Sequence, residues 1–337
     1  MTASAVIYGC SGPRLSDAER RFFRSADPFG FIVFLRNVET PEQLARLTAE
    51  LRETVGRADA PVLIDQEGGR VARLKPPHWR AAAPAARFGQ LASRDRAAAE
   101  EAVRLNARLL ALELRAVGVD VNCAPVLDLR LPGAHEVIGD RAFGADPEAV
   151  ACLGRAMMDG FLEAGVLPVA KHIPGHGRAA VDSHLALPRV STARAELEST
   201  DFRAFRLCAD APWAMTAHVV YSDIDPERPA TTSPVVIRDV IRSAIGFDGL
   251  LLSDDLSMQA LSGTLAERAR DALAAGCDVV LHCNGRLGEM EAVAGAVGAL
   301  SQPALKRIEA ARQRLGSTAE ASEMAALTTR LDALMTA

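Results

Sequence analysis

Aromatic residues make up only 4% of the chain, and lysine occurs only as Lys75, Lys171 and Lys306, arginine supplying the rest of the positive charge. With so few stacking side chains and no basic run, neither a nucleic-acid surface nor a long aromatic-lined polysaccharide cleft is expected. The six cysteines (Cys10, Cys123, Cys152, Cys208, Cys277 and Cys283) form no CxxC pair, and four of them fall in apolar runs. Free, buried thiols are the expectation. A GxGxxG turn and a Walker A loop are both missing, which weighs against dinucleotide and P-loop chemistry, and the absence of HExxH leaves the helical zinc pattern incomplete. No apolar run approaches the ~18 residues of a membrane span, and the opening MTASAVIYGCSG has neither a basic start nor a long apolar stretch. The expected setting is the cytoplasm, with no membrane contact.

What remains is a chain of 337 residues, 49% hydrophobic and 24% charged, with a net charge of -5. That is enough apolar material for one large core. Short apolar runs recur near Ser4–Gly9, Gly30–Leu35, Pro61–Asp65, Val119–Pro125, Val166–His172, Trp213–Val220, Leu250–Asp254 and Asp278–Cys283. Helical segments separate them. Ser16 with Glu19 and Thr40 with Gln43 read as capping boxes, and Asp146-Pro147 and Ser233-Pro234 as cap-then-proline starts. Steps of three and four between Leu44, Leu47 and Leu51, and between Leu105, Leu109 and Leu112, keep those side chains on one helix face. Eight strand–helix units without a break predict an α/β fold, a closed (β/α)8 TIM barrel forming a single domain over residues 1–337, with 317–337 as a peripheral C-terminal segment.

In such barrels the chemistry gathers at the C-terminal ends of the strands. Strand three ends in Asp65-Gln66-Glu67-Gly68-Gly69-Arg70, strand five in Lys171-His172 and strand seven in Ser253-Asp254-Asp255. The densest signal is KHIPGHGRAAVDSH, from Lys171 to His184. Its glycines and proline cannot continue a helix or a ladder strand, so it reads as a loop over the barrel mouth, with Gly175 and Gly177 as natural hinges. Asp182 and His184 lie two apart, on one face of an extended segment. A carboxylate beside an imidazole orients the ring and favours its charged form, suiting it to give and recover a proton near neutral pH. Metal ligation by the loop histidines is the competing reading, although no HxH on strand one accompanies them. Lys171, one of so few lysines, suits a point donor to sugar hydroxyls.

KHIPGHGRAAVDSH, together with IDQEGGRVARL, VIGDRAF and LLSDDLSM, resembles glycoside hydrolase family 3, in particular its short bacterial β-N-acetylhexosaminidases of cell-wall recycling. The resemblance runs in order over about residues 5–315. It implies an exo-acting retaining enzyme that needs no cofactor or metal and removes terminal β-linked N-acetylglucosamine from small muropeptide fragments of the GlcNAc-1,6-anhydroMurNAc type. It implies Asp254 as nucleophile, His184 as general acid/base, Asp182 as the carboxylate supporting it, and Asp65, Arg73, Arg141, Lys171 and His172 as sugar-binding residues. Residues alone leave Asp254 and Asp255 open as nucleophile; the family pattern keeps the first acid. Ile173 replaces a phenylalanine common in relatives, and Arg178-Ala179 an Asp-Thr, so Arg178 is expected either to meet an anionic aglycone or to be solvated. A phosphorylase or β-glucosidase on the same scaffold, a metal-dependent hydrolase and an inactive sugar-binding barrel are the alternatives. A monomer or weak homo-oligomer is expected.

Overall fold

The computed structural model describes all residues except Met1, Ala134, Ala180, His184, 317–322 and Ala337. Eight parallel strands close into a barrel: β1 (Ser4–Gly9), β2 (Pro28–Val33), β3 (Val62–Ile64), β4 (Val121–Asn122), β5 (Leu167–Ile173), β6 (Trp213–Thr216), β7 (Leu250–Asp255) and β8 (Val279–His282). Each pairs with its neighbour in sequence, and β8 returns to β1 through Val6 opposite Val280 and Tyr8 opposite His282. The eight expected runs are these eight strands, some of them shorter. β4 stops early because Pro125 has no N–H to donate to a ladder. Past Thr216, the tail of the expected sixth run leaves the barrel, and Val220–Tyr221 pairs in parallel with Arg189–Val190.

Alternation along the strands splits the core in two. Ile7, Leu63, Val169, Met215, Leu252 and Leu281 face a cluster inside the barrel. Val6, Tyr8, Val62, Ala170, Leu251 and Val280 face the helices. That two-sided burial is why the strands read as continuous apolar runs. The outer layer includes Asp17–Ala26, Pro41–Thr54, Arg96–Ala116, Pro147–Glu163 and Leu265–Ala275. Ser16 and Glu19 form the expected capping box. At Thr40 only half of it forms: the Thr40 hydroxyl accepts the Gln43 N–H at 3.2 Å, but Gln43 turns its oxygen to the Glu39 N–H and its NH2 to the carbonyls of Pro13 and Asn37. The C-terminal helix Met324–Thr336 buries Leu327 and Leu331. Arg330 pairs with Glu101, and Glu323 with Arg108, both partners lying on the long helix Arg96–Ala116.

A candidate active site at the barrel mouth

A cavity of about 340 Å³ opens where the strands end, and Asp65, Arg73, Arg141, Lys171, His172, Asp182 and Asp254 all line it. These are all the residues singled out from sequence except His184, which lies outside the described residues. Five separate chain segments contribute them.

One wall is a buried ionic network. Lys171 Nζ lies 2.8 Å from Asp65 Oδ1 and 2.7 Å from Glu67 Oε1. Arg73 donates to Asp65 Oδ2 at 2.9 Å, and Arg141 grips both oxygens of Glu67 at 2.8 Å each. Burial by itself would raise both carboxyl pKa values, but the facing cations win: Lys171 and Arg73 hold Asp65 well below the usual range, and Arg141 and Lys171 bring Glu67 to about 2. The same pairing lifts Lys171 and Arg141 above their ordinary values against the opposing effect of burial. All of these groups are therefore charged, and this wall presents fixed charges rather than a titrating surface.

The loop after β3 is pinned from within. Gln66 accepts the Arg73 and Leu74 N–H groups, donates to the Leu74 carbonyl, and exchanges hydrogen bonds with Asn122 on β4. Gly68 has φ +100°, and a Cβ there would sit 2.4 Å from the Ala83 carbonyl oxygen, so only glycine fits. Arg70 then reaches out to Asp140 at 2.8 Å and to the carbonyls of Glu136 and Val137, holding down the segment that carries Arg141.

On β7 the two neighbouring acids are treated differently. Asp255 is tied into the scaffold: Oδ1 accepts the N–H groups of Ser257 and Cys283 at 3.0 Å each, Oδ2 accepts the Ser257 hydroxyl, and its carbonyl faces His218 Nε2 at 3.0 Å. Asp254 Oδ1 accepts the Asp255 N–H at 2.8 Å, and its side chain lines the cavity. Asp255 lines the same cavity, but with both oxygens engaged by Ser257 and one also by Cys283.

The glycine-rich loop begins over Asp128, a fully buried carboxylate between β4 and the mouth. His172 Nδ1 lies 2.6 Å from Asp128 Oδ2, and the His176 N–H donates to Oδ1 at 2.6 Å. His176 Nε2 in turn meets the Ser183 hydroxyl at 3.0 Å, next to Asp182. Burial, followed by the neighbouring His172, pushes His176 down to about 4, so it is a neutral imidazole at ordinary pH. Arg178 is neither solvated nor aimed at the cavity. It is bound by Asp201 at 2.7 Å, Glu196 at 2.9 Å and Thr200 at 3.1 Å, so it fastens the loop to the following helices. Gly177 has a packing reason beyond hinging, since a Cβ there would lie 2.2 Å from the Leu129 carbonyl oxygen.

Glu67, Asp128 and His218 were given no role from sequence. Glu67 stood in plain view in the polar string after β3, two residues beyond Asp65. Asp128 follows an apolar run, residues 124–127, and His218 follows the apolar β6, so an ionisable residue just past a strand end was the available signal. Among the described residues no group of three or more His, Cys, Asp or Glu side chains is arranged to hold a metal ion, and all six cysteines are unpaired, five of them buried.

Comparison with known proteins adds a family. The glycosyl hydrolase family 3 N-terminal domain matches residues 14–318. A β-hexosaminidase of Alkalilimnicola ehrlichii is 44% identical over 288 residues, covering 84% of this chain and 82% of that protein. One from Thiobacillus denitrificans is 42% identical over 292 residues, covering 84% of this chain and 79% of its own length. Among solved structures, NagZ from Neisseria gonorrhoeae in complex with N-trifluoroacetyl-D-glucosamine superimposes with a TM-score of 0.87 at 33% identity, covering 100% of this chain and 98% of that one.

Proposed function

Since the chain belongs to glycoside hydrolase family 3 and is a β-N-acetylhexosaminidase of that family, we propose that it removes terminal β-linked N-acetylglucosamine from muropeptide fragments of the GlcNAc-1,6-anhydroMurNAc type by a retaining, two-step mechanism through a covalent glycosyl-aspartate. The observation that carries this reading is one small cavity lined by both the strand-end carboxylate of Asp254 and the loop carboxylate of Asp182, together with a fixed wall of charged groups. A space of about 340 Å³ suits a single sugar ring and fits exo action.

In the first step Asp254 attacks the anomeric carbon while protonated His184, oriented by Asp182, gives its proton to the leaving oxygen. In the second, neutral His184 takes a proton from water, whose oxygen attacks the same carbon and releases Asp254. Two inversions preserve the β configuration. Retaining glycosidases ordinarily use two carboxyl groups; here an imidazole takes the second role. Asp65, Arg73, Arg141, Lys171 and His172 bind the sugar hydroxyls and acetamido group, the first four held as charged donors and acceptors by the ionic wall. No cofactor or metal takes part.

The wider setting belongs to the same proposal. A single barrel over residues 1–337, with 317–337 peripheral, works in the cytoplasm on small carbohydrate fragments as a monomer or weak homo-oligomer. In support, no helix among the described residues is long and apolar enough to cross a membrane.

The test is turnover of an aryl β-N-acetylglucosaminide and of GlcNAc-1,6-anhydroMurNAc by the native enzyme and by Asp254→Asn. The substitution should lower kcat by at least roughly 10³-fold, in line with loss of an essential nucleophile. Wild-type rates in the variant would remove the nucleophile assignment, and first release of the α-anomer would remove retention.

A further inference from the structure

Asp128 touches two parts of the site at once. Its Oδ1 accepts the backbone N–H of His172 at 3.3 Å and of His176 at 2.6 Å, while its Oδ2 lies 2.6 Å from His172 Nδ1. The carboxyl group is fully buried. Burial would raise its pKa, but the His172 ring and the hydrogen bonds from His172 and His176 hold it below the usual range, so both oxygens act only as acceptors. His172 lines the cavity.

The geometry points to Asp128 as a positioning residue that sets the tautomer of His172, keeping the ring proton on Nδ1 and presenting Nε2 to the sugar as an acceptor of a hydroxyl proton. This rests on the reading of His172 as sugar-binding. An acceptor-only neighbour at 2.6 Å requires a proton on Nδ1. In its neutral form an imidazole carries one N–H, so with that proton on Nδ1 the Nε2 atom keeps its lone pair. A sugar hydroxyl can donate or accept, and the protein alone decides which it must do at this position.

Asparagine in place of Asp128 reverses the choice in a defined way. The two backbone N–H groups on Oδ1 require an oxygen there, so the substituted side chain keeps its carbonyl on them and turns its NH2 toward His172 Nδ1. That nitrogen must then accept, and the proton moves to Nε2. Loss of a well-placed carboxylate behind an imidazole acts through the wrong tautomer in the serine protease triad as well.

The experiment is ¹⁵N NMR of the imidazoles in the native enzyme and in Asp128→Asn, paired with kinetics on aryl β-N-acetylglucosaminides and their monodeoxyfluoro analogues. His172 should carry its proton on Nδ1 in the native enzyme and on Nε2 in the variant. KM should rise roughly tenfold, with kcat changing less, as expected for a hydrogen bond made equally in ground and transition states. Fluorine accepts weakly and cannot donate, so the deoxyfluoro analogue that loses most affinity in the native enzyme should lose much less in the variant. A proton on Nε2 in the native enzyme, an unchanged tautomer in the variant, or the same analogue ranking in both overturns the inference. Should Asp128→Asn fail to fold, the native spectrum decides alone. His172→Ala separates the two layers: undiminished sugar affinity in that variant removes the sugar-binding reading, whatever tautomer the native ring has.

Discussion

Replacing Glu67 by glutamine keeps the shape of the ionic wall and deletes one charge. Glu67 is only 7% exposed, and its carboxylate takes two hydrogen bonds from Arg141 at 2.8 Å each and one contact from Lys171 at 2.7 Å. Glutamine offers one acceptor and one donor, so at least one buried cation faces an N–H instead of an oxygen. Two routes give the cost. Breaking one partner out of a buried ion pair costs about 3–5 kcal/mol. Independently, a carboxyl moved from 4.5 to about 2 by folding contributes about 3 kcal/mol at neutral pH. For a chain of this length the unfolding entropy is roughly 0.7 kcal/mol/K, so the midpoint should fall by about 4 °C. The sign of the pH dependence follows from the lowered native pKa. The contribution is fully present above about pH 5 and is lost as pH falls toward the native value, so the gap between wild type and variant should narrow by about 1 kcal/mol near pH 3.5. Paired thermal and urea melts at the two pH values measure it. Equal midpoints at neutral pH, or a deficit undiminished in acid, would refute the account of Glu67 as a paired, buried anion.

Three further substitutions test other parts of the site. His184→Ala should slow turnover of substrates with poor leaving groups far more than those with good ones, read from the slope of log kcat/KM against leaving-group pKa; a slope equal to that of the wild type would remove His184 as the proton donor. Asp255→Asn should destabilise the protein by about 1–3 kcal/mol through its contacts with Ser257 and Cys283 while lowering kcat much less than Asp254→Asn, and a kcat loss as large as that of Asp254→Asn would exchange the roles of the two acids. Gly177→Ala forces a Cβ to within 2.2 Å of the Leu129 carbonyl, so the loop must shift at a cost of about 1–3 kcal/mol; an unchanged urea midpoint and KM would show that the contact is easily relieved.

Much of the site was legible because barrel geometry turns a one-dimensional cue into a location. Asp65, Lys171 and Asp254 each stand where an apolar run gives way to polar residues, and in a closed parallel barrel every such point faces the same mouth. Arg178 was misread for the complementary reason. From sequence, a cation in a catalytic loop has no visible partner, whereas Asp201 and Glu196, which bind it, lie on later helices brought beside the loop only by folding. Gly177 was read as a hinge on conformational grounds, while its contact with Leu129 depends on the neighbouring strand end.

The sequence by itself determined the barrel and its strand ends, because a strand buried on both faces must be apolar throughout and capping signals are local to a few residues. Tertiary structure decided how the ionisable groups share their charges. Asp65 meets Lys171 across 106 residues and His172 meets Asp128 across 44, and how many scaffold N–H groups a carboxylate oxygen accepts, as Asp255 Oδ1 does from Ser257 and Cys283, depends on which donors the fold brings within hydrogen-bond reach. Hydrogen bonds and ion pairs act over such short distances that spacing along the chain carries no information about them, whereas hydrophobic burial follows the strand period and is written in the order of the residues.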